Sequence, residues 1–169
     1  VNKGKFNLQI KPKYVKPTVE KKVYDNNDIS SAGGWGSSAD HAINEKFKFQ
    51  LIAKLPASDD RAYDYYDKYT VCFNDTLSKG ITFDNLDKVE IANGDGSTSQ
   101  VIDAANYTRT PNGSQSFTLT IDNVKTCAAA AGLNLNDGAT ITVTYTAHLN
   151  DNAFVNTAGG STDNKNSVF

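Results

Sequence analysis

The sequence predicts an all-β protein built as a sandwich or barrel of short strands. Two observations carry this prediction. Residue usage favours turns over helices, because the acidic residues are 16 Asp and only 3 Glu and Asp side chains compete for backbone hydrogen bonds. Apolar residues also recur at every second position between turn signals, as in half-buried strands. Many short strands with regular turns are typical of such folds.

Several segments show the alternation. The clearest is 47–55, which is followed by Pro56. Residues 117–121 and 141–147 repeat the pattern with Thr at the polar positions, and Gly-containing turns precede both. The residues expected on inward faces are Phe47, Phe49, Leu51, Ala53, Leu55, Val71, Phe73, Phe117, Leu119, Ile121, Ile141, Val143, Tyr145 and Ala147.

Helices have little room between these strands. Residues 59–69, 126–132 and 39–44 could each hold one or two helical turns, the second being rich in Ala and ending on Gly. Residues 25–39 read as a long loop. We expect Trp35 to anchor this loop on the protein body rather than to form a ligand platform.

Residues 1–16 differ from the rest of the chain. They contain five lysines and a strand-like alternation, and Pro12 and Pro17 mark an extended connector. We therefore expect 1–16 to be the end of a preceding domain with a linker, and 17–169 to be one domain. The absence of Met and of a leader predicts an excised segment or a processed product.

Composition and motifs exclude several function classes. The chain has 17 Lys and Arg against 19 Asp and Glu, without the basic stripe that nucleic-acid binding requires. It has no apolar run near the ~20 residues of a membrane span. His41 and His148 are isolated, so no metal ligand set and no cofactor are expected. A hydrolase is disfavoured because no nucleophile-elbow motif occurs.

Three polar residues occupy positions where the alternation calls for apolar ones. Lys21 shares a face with Val19 and Val23, Asp75 with Phe73 and Leu77, and Asn166 with Val168. They lie on the first, a middle and the last strand. Lys and Asp are rarely buried unless paired. One interpretation is a buried ion pair with an amide partner, or strand ends where faces are not enforced.

The other interpretation is reactive. Burial lowers the pKa of Lys and raises that of Asp, which favours a neutral amine and a protonated acid. The amine of Lys21 could then attack the side-chain carbonyl of Asn166 while Asp75 stabilises the oxyanion and passes a proton to departing ammonia. The product is an intramolecular amide, formed once, so the chain is not expected to be an enzyme.

The sequence resembles the middle domains of Gram-positive backbone pilins, which have the isopeptide-forming CnaA-type fold. The segments that carry the resemblance are 17–23, 75–83, 141–150 with Ala153, and 166–168. The resemblance implies an immunoglobulin-like β-sandwich with short helical turns in its loops. It also implies that Lys21 forms the bond, Asn166 accepts it and Asp75 is the catalytic acid.

Two of these assignments have alternatives. Glu90 or Asp64 could be the acid if the strand register is off by one, and Asn164, on the same face as Asn166, could be the acceptor.

The connector also resembles a pilin motif, in which alternating apolar residues precede Tyr-Pro-Lys and a sortase joins the lysine to the next subunit. Leu8, Ile10 and the Pro12-Lys13 pair match it, which makes Lys13 the candidate for linkage between subunits. Lys11 stands where Tyr is usual, and a plain basic linker is the other interpretation. The implied partners are further copies of the same pilin, a pilus sortase and a host surface, and the implied location is a cell-wall-attached, extracellular pilus.

Cys72 and Cys127 are the only cysteines, and an even count in an exported domain favours a disulfide over two free thiols. The function expected from the resemblance is a structural domain of a pilus shaft. The alternative is an adhesin, or a tip or basal pilin domain, that binds host glycan or matrix protein through residues 25–39. Linkage through Lys13 distinguishes the two.

Overall fold

The structure, a computed structural model, describes residues 16–25, 34–111, 116–153 and 166–169, with the backbone alone for Asn166 and Ser167. The predicted strand near the N-terminus, Lys11, Lys13 and Asn164 lie outside the described residues.

Ten strands are described, and they pair throughout in antiparallel ladders. In chain order they are β1 (Thr18–Asp25), β2 (Gly34–Gly36), β3 (Lys46–Leu55), β4 (Val71–Leu77), β5 (Ile81–Asn93), β6 (Ser99–Val101), β7 (Tyr107–Pro111), β8 (Ser116–Ile121), β9 (Ala139–Leu149) and β10 (Asn166–Val168).

The strands form two sheets that pack face to face. One sheet has six strands in the order β2-β1-β3-β9-β5-β6, and the other has four in the order β10-β4-β8-β7. The first described strand therefore lies in one sheet and the last described strand in the other. The predicted all-β sandwich is confirmed.

The inward faces follow the predicted alternation. The five residues predicted to share a face of β3 are all buried, as are the inward residues of β8 and β9. Val71 is only partly buried, because β4 begins there. Burial of one large apolar side chain stabilises the fold by roughly 1.5–3 kcal/mol, so these faces hold the two sheets together.

The alternation fails in β5, which the sequence pattern does not outline. Its pairing with β9 shifts register between Phe83 and Asn85 and again between Leu86 and Lys88. Each irregularity adds a residue to one strand, and this moves the following side chains to the opposite face. A strand of 13 residues therefore lacks a continuous period of two.

The helical segments are short. The α-helix α1 spans Val124–Ala130, and single 3₁₀ turns span Ala62–Tyr65, Ala104–Asn106 and Leu135–Asp137. Two of the predicted helical regions are thus helical in part. Among the described residues, no helix is long and apolar enough to cross a membrane.

Two local predictions are wrong. Residues 39–44 form no helix: Asn44 has a positive φ of 64°, and Ile43 forms a parallel bridge with Leu149. The predicted loop 25–39 contains a strand, because β2 pairs with the end of β1. Trp35 lies on β2 and packs edge-on against Tyr24, with ring centroids 5.2 Å apart.

Candidate functional site

Lys21 lies in the middle of β1 and faces the interior of the sandwich. In the register with β3 it is opposite Leu51, which is fully buried. Residues directly opposite in an antiparallel pair share a face, so the strand carries the lysine inward with Val23. Only 11% of the Lys21 side chain is exposed.

Asp75 lies on β4 in the facing sheet. Phe117 of β8 is opposite it on one side and Val168 of β10 on the other. The Asp75 side chain is fully buried, and its Oδ1 accepts a hydrogen bond from Lys21 Nζ. The two residues therefore form an ion pair that joins the two sheets through the interior.

Aromatic rings surround this pair. Lys21 Nζ lies 4.8 Å from the centroid of the Phe49 ring and 5.4 Å from that of Tyr145. The rings of Phe49 and Tyr145 are themselves 5.3 Å apart, and Phe117 meets Tyr145 edge-on at the same distance. The rings attract the ammonium weakly but replace the water that would otherwise solvate both charges.

Burial shifts both pKa values in the direction of a neutral pair. It lowers the pKa of Lys21 from 10.5 to about 8, although the charge of Asp75 and the hydrogen bond to it act in the opposite direction. Burial raises the pKa of Asp75, although Lys21, the Tyr145 hydroxyl and the Thr76 N–H favour its charged form. The neutral amine and protonated acid are thus brought closer in free energy to the ion pair.

The second carboxyl oxygen of Asp75 is less well satisfied than the first. Oδ2 is buried and makes no hydrogen bond of ordinary geometry within the described part of the chain. An acceptor in such a position costs free energy unless a donor reaches it. This oxygen is therefore available to a further polar group.

Asn166 occupies a position near this pair in the register. It begins β10, and its backbone lies opposite Leu77, two residues after Asp75 on β4. Leu77 is in the core, so Asn166 belongs to the register positions on the inner face of the four-stranded sheet. The strand β10 also lies close to β1. The three sequence-predicted positions are thus neighbours in the fold.

The alternative acids are engaged elsewhere. Glu90 alternates with the buried Val89 and Ile91 of β5, and its carboxylate accepts from Lys88 Nζ at 2.8 Å. Asp64 lies in an exposed 3₁₀ turn and accepts from Arg61 at 2.7 Å and from Asn136 at 2.8 Å. Among the three candidate acids, Asp75 is the one that contacts Lys21.

Solved structures with a similar fold are known. The chain superposes on the full-length major pilin RrgB from Streptococcus pneumoniae with a TM-score of 0.54, at 21% identity over 86% of the chain. It superposes on the pilus backbone RrgB from the same organism with a TM-score of 0.51, at 20% identity over 83% of the chain. The chain has the fold of a backbone-pilin domain.

The chain spans 22% of the first structure and 29% of the second. The similarity therefore concerns a part of each of those proteins and shows the fold alone. No protein-family profile matches the chain, and no curated protein sequence does.

The disulfide predicted from the cysteine count is absent from this pilin-fold domain, where both thiols are free. Cys72 is exposed on the outer face of β4, with its Sγ 3.5 Å from Thr120 Oγ1. Cys127 is buried in α1 within the core. Because one thiol points outward and the other inward, the prediction from parity alone was wrong.

The two histidines have structural contacts. His41 Nε2 lies 3.0 Å from the Tyr24 carbonyl, and its ring stacks on Phe47 at 4.0 Å. His148 Nδ1 lies 2.8 Å from Asp84 Oδ2. Within the described ranges, no three His, Cys, Asp or Glu residues are grouped so that they could hold a metal ion.

Sequence reasoning missed Tyr145 as a member of the site. It recognised Tyr145 only as an inward residue of β9, between Val143 and Ala147. The available signal was chemical: a fully buried tyrosine brings a hydroxyl into the core, and that hydroxyl needs a polar partner. In the structure the Tyr145 hydroxyl favours a lower pKa of Asp75, although burial raises that pKa more strongly.

Proposed function

We propose that this chain is a structural domain of a pilus shaft and that it forms an intramolecular isopeptide bond between Lys21 and Asn166. The observation that carries the proposal is the Lys21–Asp75 pair, enclosed by aromatic rings and joining two sheets. Asp75 is the acid of the reaction, and the reaction occurs once per chain.

The reaction begins with a proton transfer inside the pair. Nζ of Lys21 gives a proton to Oδ1 of Asp75, which produces the neutral amine and the protonated acid. The shifted pKa values reduce the cost of this step. The amine then attacks the side-chain carbonyl carbon of Asn166, and the acid hydrogen-bonds the oxyanion that develops.

Collapse of this intermediate completes the bond. The C–N bond to the Asn166 side-chain nitrogen breaks, and Asp75 mediates the transfer of a proton from the attacking nitrogen to the leaving one. One ammonia leaves and an amide between Nζ and the Asn166 side-chain carbon remains. The carboxyl of Asp75 is regenerated in its protonated form and then equilibrates with the solvent. No oxidant, metal or external cofactor takes part.

Such a bond suits a protein that carries tension. It would join β1 of the six-stranded sheet directly to β10 of the four-stranded sheet. Force applied along the chain before β1 and after β10 would pass through one covalent bond and bypass the hydrogen-bonded ladders between them. The fold similarity to pilus-backbone structures supports the shaft role over the adhesin alternative.

Intact-mass measurement tests the proposal. The purified, reduced chain should be lighter than its sequence by one ammonia. Lys21→Ala, Asp75→Ala and Asn166→Ala should each restore the sequence mass, while Asn164→Ala, the matched control at the alternative acceptor, should keep the loss. A wild-type chain at its full sequence mass would refute the isopeptide bond.

Assembly into a shaft requires a second kind of linkage, between subunits. We propose Lys13 as the residue that a pilus sortase joins to the next copy of the pilin, at the cell surface. The connector around Lys13 supports this proposal through its Pro-Lys pair and alternating apolar residues.

A further inference from the structure

The Asp75 carboxyl must be held in one orientation for the condensation to proceed, and Lys21 holds only one of its two oxygens. The hydrogen bond from Nζ reaches Oδ1, and this bond weakens when the proton moves from the lysine to the acid. Oδ2 has no partner of ordinary hydrogen-bond geometry among the residues described. A second donor is needed to keep the carboxyl in place.

Tyr145 is positioned to be that donor. It projects from β9 of the six-stranded sheet and is fully buried. Its ring meets Phe117 edge-on at 5.3 Å, and Phe117 is the residue directly opposite Asp75 on β8. Tyr145 thus lies on the face of its sheet that is turned toward Asp75, and its hydroxyl favours a lower pKa of the Asp75 carboxyl, against the larger effect of burial.

The ring of Tyr145 is fixed by its neighbours. Phe49 stacks on it at 5.3 Å, and Phe83 lies 5.5 Å away at an interplanar angle of 33°. Lys21 Nζ lies 5.4 Å from the ring centroid. Because the ring cannot turn without displacing these side chains, the direction of its hydroxyl is set by core packing.

We propose that Tyr145 is a positioning residue for isopeptide formation: its hydroxyl donates to Oδ2 of Asp75 while Oδ1 exchanges the proton with Lys21. With both oxygens assigned, the acid is held in one plane while it exchanges the proton with the amine. This inference rests on the proposed function.

The test follows the bond as it forms. A chain recovered from inclusion bodies in denaturant at its full sequence mass has not reacted. Refolding it starts the reaction, and acid quenching followed by intact mass gives the rate at each pH. Tyr145→Phe keeps the ring and removes only the hydroxyl. We expect bond formation to slow by about three- to tenfold, as for loss of one hydrogen bond that orients a neutral acid.

The pH dependence separates positioning from a general loss of stability. Among the described residues, the titratable groups that act on Asp75 are Lys21 and Tyr145. Because the hydroxyl favours the charged carboxylate, its removal should move the acid limb of the rate profile to higher pH. Tyr63→Phe is the matched control: Tyr63 is also buried and donates to the Pro56 carbonyl at 3.0 Å, away from the pair. It should leave rate and profile unchanged.

The outcomes are distinct. If the wild-type chain loses no ammonia, the proposed function fails, and this inference fails with it. If the wild type reacts and Tyr145→Phe matches it in rate and acid limb, the role of Tyr145 alone is refuted. A chain labelled with fluorotyrosine keeps the packing and has a stronger phenol donor, so its acid limb should move to lower pH. An unmoved limb there would equally contradict the proposal.

Discussion

Lys21 and Asp75 reach each other from facing sheets and form an ion pair in the interior, with the carboxyl fully buried and the lysine nearly so. Buried ion pairs are weak sources of stability, because the cost of removing both charges from water offsets their attraction. Apolar residues at both positions would serve a passive core at least as well. Under the proposed function the pair has a chemical role, since burial among aromatic rings brings the neutral amine and the protonated acid closer in free energy to the ion pair.

The first prediction concerns thermal stability. A cross-link between Lys21 and Asn166 closes a loop of roughly 145 residues. By the chain-entropy relation for disulfides, it lowers the conformational entropy of the unfolded chain and raises the free energy of unfolding by about 5 kcal/mol. Asn166→Ala should therefore lower the melting temperature by roughly 10 to 20 °C. Differential scanning calorimetry measures this, with Asn164→Ala as control. Equal melting temperatures for wild type and Asn166→Ala would contradict a bond at this position.

The sequence was sufficient to predict which faces of the regular strands are buried. In β3, β8 and β9 the alternation is unbroken, and each expected inward residue is in the core. The pattern also singled out Lys21 and Asp75, because a charge on an apolar face is visible in sequence. It could not show that they lie in different sheets, since strand partners are decided by packing over long sequence separations.

Other features of the structure could not be predicted from the sequence, for physical reasons. Two irregularities in β5 break its alternation, and β2 has only three residues, two of them Gly, so neither strand has a readable pattern. The helical expectation for 39–44 rested on local composition, whereas a bridge from Ile43 to Leu149 decides the conformation. In the sequence Tyr145 resembled an ordinary core residue, because the role of its hydroxyl depends on Asp75, which is distant along the chain.

The second prediction concerns the pH dependence of bond formation in the wild-type chain. The reactive state holds one proton shared between Lys21 and Asp75. Above about 8, the lowered pKa of Lys21, this proton is lost and the acid can no longer donate. The rate should therefore decline above pH 8 and also at acid pH, where both groups are protonated. If the acid were dispensable, the rate would instead rise to a plateau at high pH, and refolding followed by mass measurement distinguishes the two profiles.

The third prediction tests the charge on Asp75 in chains that cannot react. In an Asn166→Ala background, Lys21→Met leaves the carboxyl buried without its counter-charge, so its folded-state pKa rises further above the unfolded value. The folded state then binds the extra proton, and stability is present at low pH and lost as pH rises through the raised pKa, by about 1.4 kcal/mol per pH unit.

Urea denaturation at a series of pH values measures this slope. Adding Asp75→Asn to the same chain removes the titrating group and should flatten the curve over that range. A curve that stays steep in the Asp75→Asn chain would assign the effect to another residue.

The fourth prediction concerns the thiols. Cys72 is exposed and Cys127 is buried, and burial also raises the pKa of the Cys127 thiol, so less of it is in the reactive thiolate form. A maleimide reagent should modify one thiol in the native chain and both after unfolding. Peptide mapping should place the native label on Cys72. An unreduced chain in which neither thiol reacts even after unfolding would indicate that the disulfide forms after all.

The fifth prediction concerns assembly and separates the two lysine chemistries. An amine that joins subunits must be accessible to a sortase, whereas Lys21 is enclosed by Phe49, Tyr145 and Asp75. In cells that produce the whole pilin and its sortase, Lys13→Ala should abolish the ladder of covalent polymers on denaturing gels yet leave the internal loss of ammonia intact. Lys21→Ala should abolish the internal loss of ammonia and leave polymers that still form, but whose subunits melt at lower temperature.

Lys11→Ala serves as the control for a change of charge in the same connector. If polymers persist in Lys13→Ala and disappear in Lys11→Ala, the linking residue is Lys11, and if they persist in both, the shaft role through this connector is excluded.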